Sequence, residues 1–141
     1  MHRLMLRLLP LVALALAASA CGGNSDTTTT TPAPSTATVT ETFTGTLTTN
    51  GAITHPFTVT GVGSVNAVLT TLTPDTTKPV GLSMGTWNGS ICQILLANDA
   101  SIQGSVVIGQ ATTSGNFCVR IYDASGTVAQ PQTYTIEVTH Q

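Results

Sequence analysis

Apolar and polar side chains alternate most regularly in two runs near the end of the chain, Phe117–Ile121 and Tyr134–Val138. Successive side chains of a β-strand point to opposite faces, so each run predicts a strand with one buried face. The segment Ala124–Gln132 between them contains a glycine and a proline and is predicted to be a loop. We expect the two strands to form a pair that closes a β-sandwich.

The same alternation recurs upstream, interrupted by turn signals at intervals of about 8–12 residues and without a helical period. Asn50-Gly51 and Asn88-Gly89 are strong signals for hairpin turns. Ile91–Ala97 is the most apolar segment, and we expect this strand to be covered on both faces. The predicted strands before the final two are Glu41–Thr48, His55–Thr60, Ser64–Thr73, Val80–Trp87, Ile91–Ala97 and Ser105–Ile108. About eight short strands in an all-β domain indicate a two-layer sandwich or a barrel.

Residues 1–20 have the order of a secretory signal, with Arg3 and Arg7, then an apolar run too short to span a bilayer, then small residues. The segment Ala18-Ser19-Ala20-Cys21 resembles the lipobox of bacterial lipoproteins. The resemblance implies that the Cys21 thiol is diacylglycerated, that cleavage makes it residue one, and that acyl chains anchor the protein. Gly22 after the cysteine resembles lipoproteins sent to an outer membrane. The alternative is ordinary secretion, with Cys21 incidental.

The remainder divides into a linker and a folded domain. Residues 21–38 are predicted to be the lipidated cysteine and its linker, because the Thr27–Thr31 tract and Pro32–Ser35 contain nothing that could bury a core. Residues 39–141 are predicted to form one β-sandwich domain, since their length suits a single core.

Charge is sparse in the mature chain. Cleavage after Ala20 removes two arginines and leaves two strong bases, Lys78 and Arg120, against six acids, a net charge of −4. Binding to nucleic acid requires clustered Lys and Arg to neutralise phosphates, so this composition excludes it. Solubility must come instead from Thr, Ser, Asn and Gln, which suits an extracytoplasmic β protein.

Three cysteines occur in the chain, and Cys21 is assigned to lipid. Cys92 and Cys118 then form an even pair in an oxidising compartment, which predicts a disulfide. The alternative is two separate buried thiols. A metal site is disfavoured, since neither cysteine has a second Cys or His at ligand spacing.

Two stretches resemble the bacterial pre-peptidase C-terminal domain: Gly115–Ile121, an alternating strand with an aromatic residue and an arginine, and the terminal strand Tyr134–Val138. Pro56–Val59 is similar to the start of that domain. The resemblance implies a jelly-roll-like β-sandwich of about eight antiparallel strands, usually appended to secreted enzymes. Val80–Met84 stands where the family has an acidic cluster that would serve a calcium site. We therefore expect neither a metal nor a cofactor. The alternative is a calcium site in the loops, with Asp123 and Ser125 or Asp75 and Asp99 as ligands.

Aromatic residues offer a candidate binding site. Trp87 and Tyr122 could form a platform on which a sugar or a peptide stacks, and Asp123 lies beside Tyr122 in a predicted turn. The alternative for Trp87 is a cap over the core near Cys92. Arg120 is expected to form a cross-strand pair with Glu137.

Catalytic residues are not predicted. A Ser–His–Asp set would need His55 and Asp123 beside a serine, and the sequence has no Gly-x-Ser-x-Gly motif. His55 and His140 are expected to be solvated surface histidines, and the turn aspartates to serve backbone geometry.

The sequence thus favours a lipid-anchored β-sandwich of the bacterial cell envelope with a structural or binding role. Its partners would be the membrane, through the lipid, and a protein or glycan ligand. Two alternatives stay open: an accessory module for a separately encoded secreted hydrolase, and a small hydrolase with an unrecognised site.

Overall fold

The computed structural model describes residues 37–141, and within them the chain forms eight β-strands. The predicted signal peptide, Cys21 and most of the predicted linker lie outside the described residues. No membrane-spanning helix occurs between residues 37 and 141. The strands are β1 Val39–Leu47, β2 Ala52–Val59, β3 Gly63–Thr73, β4 Val80–Trp87, β5 Cys92–Ser101, β6 Val106–Ala111, β7 Gly115–Tyr122 and β8 Gln132–His140.

The strands form two four-stranded antiparallel sheets, ordered β1-β8-β3-β6 and β2-β7-β4-β5. The first four strands pair with the last four in reverse order: β1 with β8, β2 with β7, β3 with β6 and β4 with β5. The domain is therefore one long two-stranded ribbon rolled into a sandwich, which is the jelly-roll arrangement. The predicted all-β fold class, jelly-roll-like with eight antiparallel strands, is confirmed.

The predicted pairing of the last two strands is wrong. β7 and β8 lie in opposite sheets and face each other across the core, so Arg120 and Glu137 form no cross-strand pair. Alternation correctly identified the buried faces, with Val119 and Ile136 fully buried. It carries no information about which strand lies alongside, because any two half-buried strands satisfy the same pattern.

The core lies between the two sheets and consists mainly of aliphatic side chains. Its largest fully buried members come from both layers: Leu47, Leu69, Leu72, Leu82, Ile121, Ile136 and Tyr134. Burying such side chains stabilises a fold by roughly 1.5–3 kcal/mol each relative to exposure. The small number of aromatic residues is thus compensated mainly by Leu, Ile and Val at inward-facing strand positions.

The expectation that Ile91–Ala97 is covered on both faces is wrong. β5 is an edge strand, and its side chains from Gln93 to Ala100 are all exposed. Its register with β4 shifts twice, and one shift leaves Leu95 without a partner as a bulge. An apolar run is equally consistent with a strand buried on both faces and with an uncovered apolar surface, so sequence could not distinguish them.

The two Asn-Gly turns have different roles. Asn88-Gly89 joins β4 and β5 within one sheet, with Gly89 at φ 98°, so this hairpin prediction is confirmed. Asn50-Gly51 also forms a turn, with Asn50 at φ 54°, but it carries the chain from one sheet to the other. It is therefore not a hairpin turn.

Candidate functional site

The outward surface of the β2-β7-β4-β5 sheet gathers the most distinctive side chains of the domain. On β7, Val119 and Ile121 face the core, so alternation directs Arg120 and Tyr122 outward. On β4, Trp87 lies outward beyond the last core-facing positions. We call the surface formed by Trp87, Arg120, Tyr122 and the Cys92–Cys118 disulfide the outer face.

Two glycines of β4 shape the outer face. A Cβ on Gly81 would lie 2.3–2.6 Å from the ring atoms of Tyr122, so the ring lies flat against the strand. A Cβ on Gly85 would lie 1.9 Å from the Gln93 carbonyl oxygen, so the start of β5 bends over β4 at this point. Only glycine permits these approaches, and both glycines are buried as a result.

The predicted disulfide between Cys92 and Cys118 is confirmed, with an S–S distance of 2.01 Å. It joins the edge strand β5 to β7 across the intervening β4, and the two Cα atoms lie 5.8 Å apart. The Cys118 side chain points away from the core. Cys118 is nevertheless fully buried, because it lies under the Cys92 half of the bridge. The bridge therefore fixes the edge strand on the outer face.

Arg120, Tyr122 and Asp99 form a continuous polar chain on the outer face. The Arg120 guanidinium lies 5.0 Å from the centre of the Tyr122 ring, a cation–π arrangement. The Tyr122 hydroxyl donates a hydrogen bond to Asp99 of β5. Burial and this hydrogen bond raise the pKa of Tyr122 above its ordinary value. The Arg120 cation is thus held in place by aromatic stacking rather than by the predicted partner Glu137.

Trp87 forms a ridge between two shallow depressions. One, of about 340 Å³, also contacts Arg120 and is lined by Thr54, Trp87, Ser90, Ile91, Cys92 and Arg120. The other, of about 390 Å³, is lined by Pro56, Phe57, Thr58, Trp87, Gly89 and Asn116. The first combines an aromatic face, an aliphatic side chain, a cation and hydroxyl groups within one surface, which suits ligand recognition. Trp87 is half-buried here and does not cap the core.

The Asp123 carboxylate is engaged in its own loop. It accepts hydrogen bonds from the backbone N–H groups of Asn50, Thr127 and Val128. Burial acts to raise the pKa of Asp123, but these donors outweigh it and hold the pKa below its ordinary range. Trp87 and Tyr122 thus share one sheet face but lie near opposite ends of β4, because Tyr122 pairs with Gly81, while Asp123 joins the β1–β2 turn to the β7–β8 loop.

Both histidines of the domain differ from the expectation of solvated surface residues. His140 is 3% exposed and its Nε2 lies 2.9 Å from a Glu41 carboxylate oxygen. His55 is half-buried, stacks on Phe43, and its Nε2 lies 2.8 Å from the Tyr134 hydroxyl. Aromatic side chains of the edge strands β1 and β2 pack against both rings. Phe43 of β1 stacks on His55, and Phe57 of β2 contacts His140.

Burial shifts the pKa values of His55 and Tyr134 in opposite directions. It lowers the pKa of His55 and raises that of Tyr134 to about 12, because each charged form loses hydration. The His55 ring thus contacts a phenol rather than a serine and Asp123. Within the part of the chain that the structure describes, no three His, Cys, Asp or Glu side chains are grouped to hold a metal ion.

No protein-family model matches the chain, and no curated protein matches it in sequence. Solved structures with a similar fold include the following two. Yersinia pseudotuberculosis-derived mitogen is 18% identical with a TM-score of 0.55, over 73% of this chain and 86% of the mitogen. Aeromonas hydrophila PliG, a periplasmic lysozyme inhibitor of g-type lysozyme, is 13% identical with a TM-score of 0.52, over 72% of this chain and 86% of PliG. At these identities the likeness concerns the fold alone.

The sequence singled out Trp87 and Tyr122 as candidates, but it did not indicate that Arg120 lies over the Tyr122 ring. The signal lay in the alternation of β4, where Gly81 and Gly85 share the face of Trp87. Glycines at alternate positions of a strand indicate that something approaches its backbone closely on that face. Here the approaching groups are the Tyr122 ring and the backbone of β5.

Proposed function

We propose that this chain is a lipid-anchored binding module of the bacterial cell envelope, and that its outer face contacts an extracytoplasmic partner. The observation that carries the binding role is the grouping of Trp87, Arg120 and the Cys92–Cys118 bridge around one depression. Trp and Arg are the side chains that most often dominate binding energy at interfaces. A rigid sheet also holds them in place before binding, which reduces the entropy lost on association.

The ligand chemistry follows from the side chains of the depression. The Trp87 ring offers a surface for stacking, Ile91 offers an apolar contact, and Arg120 offers a fork of donors for a carboxylate. This combination suits a protein surface with an acidic side chain beside an apolar one. The similar fold of PliG, a periplasmic lysozyme inhibitor, supports a protein partner. A glycan carrying carboxylates is the competing ligand.

The anchor is supported by Ala18-Ser19-Ala20-Cys21, which resembles a lipobox at the end of a secretory signal. Several acyl chains contribute roughly 0.8 kcal/mol for each buried methylene group, which suffices for stable attachment. The Thr/Pro-rich residues that follow suit a linker between the lipid and the sandwich. We infer an envelope location on the same grounds, with the sandwich displayed outside the cytoplasm.

The anchor predicts that Cys21→Ser moves the protein from the membrane fraction to the soluble extracytoplasmic fraction. Serine cannot form the thioether that carries the diacylglyceryl group, so the chain loses its lipid. Immunoblotting of fractionated cells measures the change, with Cys92→Ser as a control that alters a cysteine outside the signal. Continued sedimentation of Cys21→Ser with membranes would contradict the anchor.

The binding face predicts that Arg120→Gln weakens retention of envelope partners by about tenfold or more, as expected for an interface hot spot. Lys78→Gln is the matched control, because Lys78 is the other strong base of the mature chain and lies in the β3–β4 loop. Quantitative pull-down from solubilised envelopes, with glycosidase-treated and protease-treated samples, separates a glycan from a protein ligand. Equal loss in both variants would indicate a general charge effect and contradict the proposed face.

A further inference from the structure

Exposed apolar side chains are concentrated on one side of the sandwich. Between residues 37 and 141, nine large apolar side chains are exposed, and seven of them lie from Ile91 to Ile108. These seven are Ile91, Ile94, Leu95, Leu96, Ile102, Val106 and Ile108. They belong to the edge strands β5 and β6 and to the turns beside them. We call the surface formed by β5 and β6 the apolar side.

The two edge strands lie next to each other although they belong to different sheets. A Cβ on Gly109 of β6 would lie 3.1 Å from Cδ1 of Leu96 of β5, so the Leu96 side chain lies close to the backbone of β6. Leu95, on its bulge, is 67% exposed, and Ile108 is 66% exposed. Exposed apolar side chains are thus present on both of these neighbouring edge strands, and a concentration of this kind marks an interaction site.

Charge is sparse on this side. Between Lys78 and Arg120 the sequence has one charged residue, Asp99, and its carboxylate accepts the Tyr122 hydroxyl on the outer face. Edge strands of soluble proteins are usually protected by charged residues, by proline or by bulges. β5 has two bulges, but β6 has none, and it contains neither charge nor proline. The outward backbone groups of β6 are thus open to another strand.

We propose that the occupant of the apolar side is a second copy of this chain, with β6 pairing antiparallel to β6 of that copy. A two-fold axis near Ile108 would join the two β1-β8-β3-β6 sheets into one continuous sheet. Leu95 and Leu96 of each copy would then pack beside the new strand pair. An isologous interface requires a self-complementary surface, and an uncharged apolar strand meets its own copy without repulsion.

The charge distribution favours a second copy over a charged partner. Residues 37–141 contain two strong bases and five acids, a net charge of 2 − 5 = −3, so two copies repel least when they approach through a surface with few acids. The apolar side is such a surface. If the chain is anchored as proposed above, confinement to one membrane raises the effective concentration of copies for each other. This last step alone rests on the proposed function.

A cysteine at the two-fold axis tests the geometry in intact cells. Directly opposed residues of antiparallel strands have Cα atoms about 4.5–5.5 Å apart, within the range that a disulfide spans. Full-length Ile108→Cys is expected to give a disulfide-linked dimer on a non-reducing gel. Val39→Cys is the control, because Val39 is on β1, the opposite edge of the same sheet. Adducts at a mass other than that of two copies, or equal dimer from both variants, would overturn the proposal.

Sedimentation velocity tests the dimer independently of the lipid anchor. Full-length chain carrying Cys21→Ser is expected to form a concentration-dependent dimer that Val106→Lys abolishes and Val39→Lys leaves intact. Val106 and Val39 are each 44% exposed, so the two lysines differ mainly in which edge they occupy. A monomer at every concentration, together with no Ile108→Cys dimer in cells, would overturn the dimer while leaving a confirmed anchor unaffected. Binding of the apolar side to lipid vesicles, with no dimer, would also overturn it.

Discussion

Replacing Cys92 and Cys118 together by alanine is expected to lower the free energy of unfolding by about 3 kcal/mol. The bridge closes a loop of 26 residues, and restricting the unfolded chain over that length accounts for this magnitude. It is also the covalent link that holds the exposed edge strand β5 to β7. Urea unfolding of the oxidised protein and of the double variant measures the difference.

The control for the disulfide variant is the wild-type chain unfolded with and without a reductant. Reduction is expected to reproduce the loss seen in the double variant, because both remove the same constraint. The Cys21→Ser variant keeps the bridge intact, so its urea midpoint of unfolding is expected to equal that of the wild-type protein. A loss below about 1 kcal/mol in the double variant would contradict the structural role of the bridge.

Gly85→Ala is expected to destabilise the fold by about 3 kcal/mol, at the upper end of the range for overpacked sites. The added methyl would meet backbone atoms of β5, with the Gln93 carbonyl oxygen at 1.9 Å, and backbone cannot move aside as a flexible side chain can. β5 would have to leave its position over β4 and strain the adjacent disulfide. Thermal unfolding monitored by circular dichroism measures the loss.

Gly115→Ala is the matched control for this substitution. Gly115 begins β7 in the same sheet, and its nearest neighbour to an added Cβ is Phe117 at 3.8 Å, an ordinary contact distance. We expect this variant to stay within about 0.5 kcal/mol of wild type. If Gly85→Ala unfolds no more easily than Gly115→Ala, the close passage of β5 over β4 is incorrect.

The sequence allowed the strands to be located because period-two alternation is a local property. Val80–Trp87 was predicted with its final boundaries, and the turn at Asn88-Gly89 followed from residues that adopt positive φ. The disulfide followed from counting cysteines. In each case the information lay within a few residues or in the number of one residue type, and no tertiary arrangement was needed.

The arrangement of the strands could not be obtained in the same way. β7 and β8 share an identical alternating pattern, yet they belong to opposite sheets, because pairing depends on how the whole ribbon rolls. The exposure of β5 was missed for a related reason, since an apolar run does not reveal whether another layer covers it. Both errors concern contacts between segments distant in sequence.

The candidate site was only partly predictable. Aromatic character identified Trp87 and Tyr122, but Arg120 joined them only when the register placed it over the Tyr122 ring. Asp123 was chosen for its place in a turn, and the structure gives its carboxylate three backbone donors. Whether a turn aspartate serves its own loop or a ligand depends on the position of a second loop, here the one at Asn50.

The proposed contact between the outer face and an envelope partner can be detected by photo-crosslinking in intact cells. A photoreactive residue at Ile91, beside Trp87 and Arg120 in the depression, is expected to form a discrete adduct that Arg120→Gln removes. The same probe at Thr44, exposed on the other sheet, is expected to form none. No adduct from position 91, or the same adduct from both positions, would contradict the account.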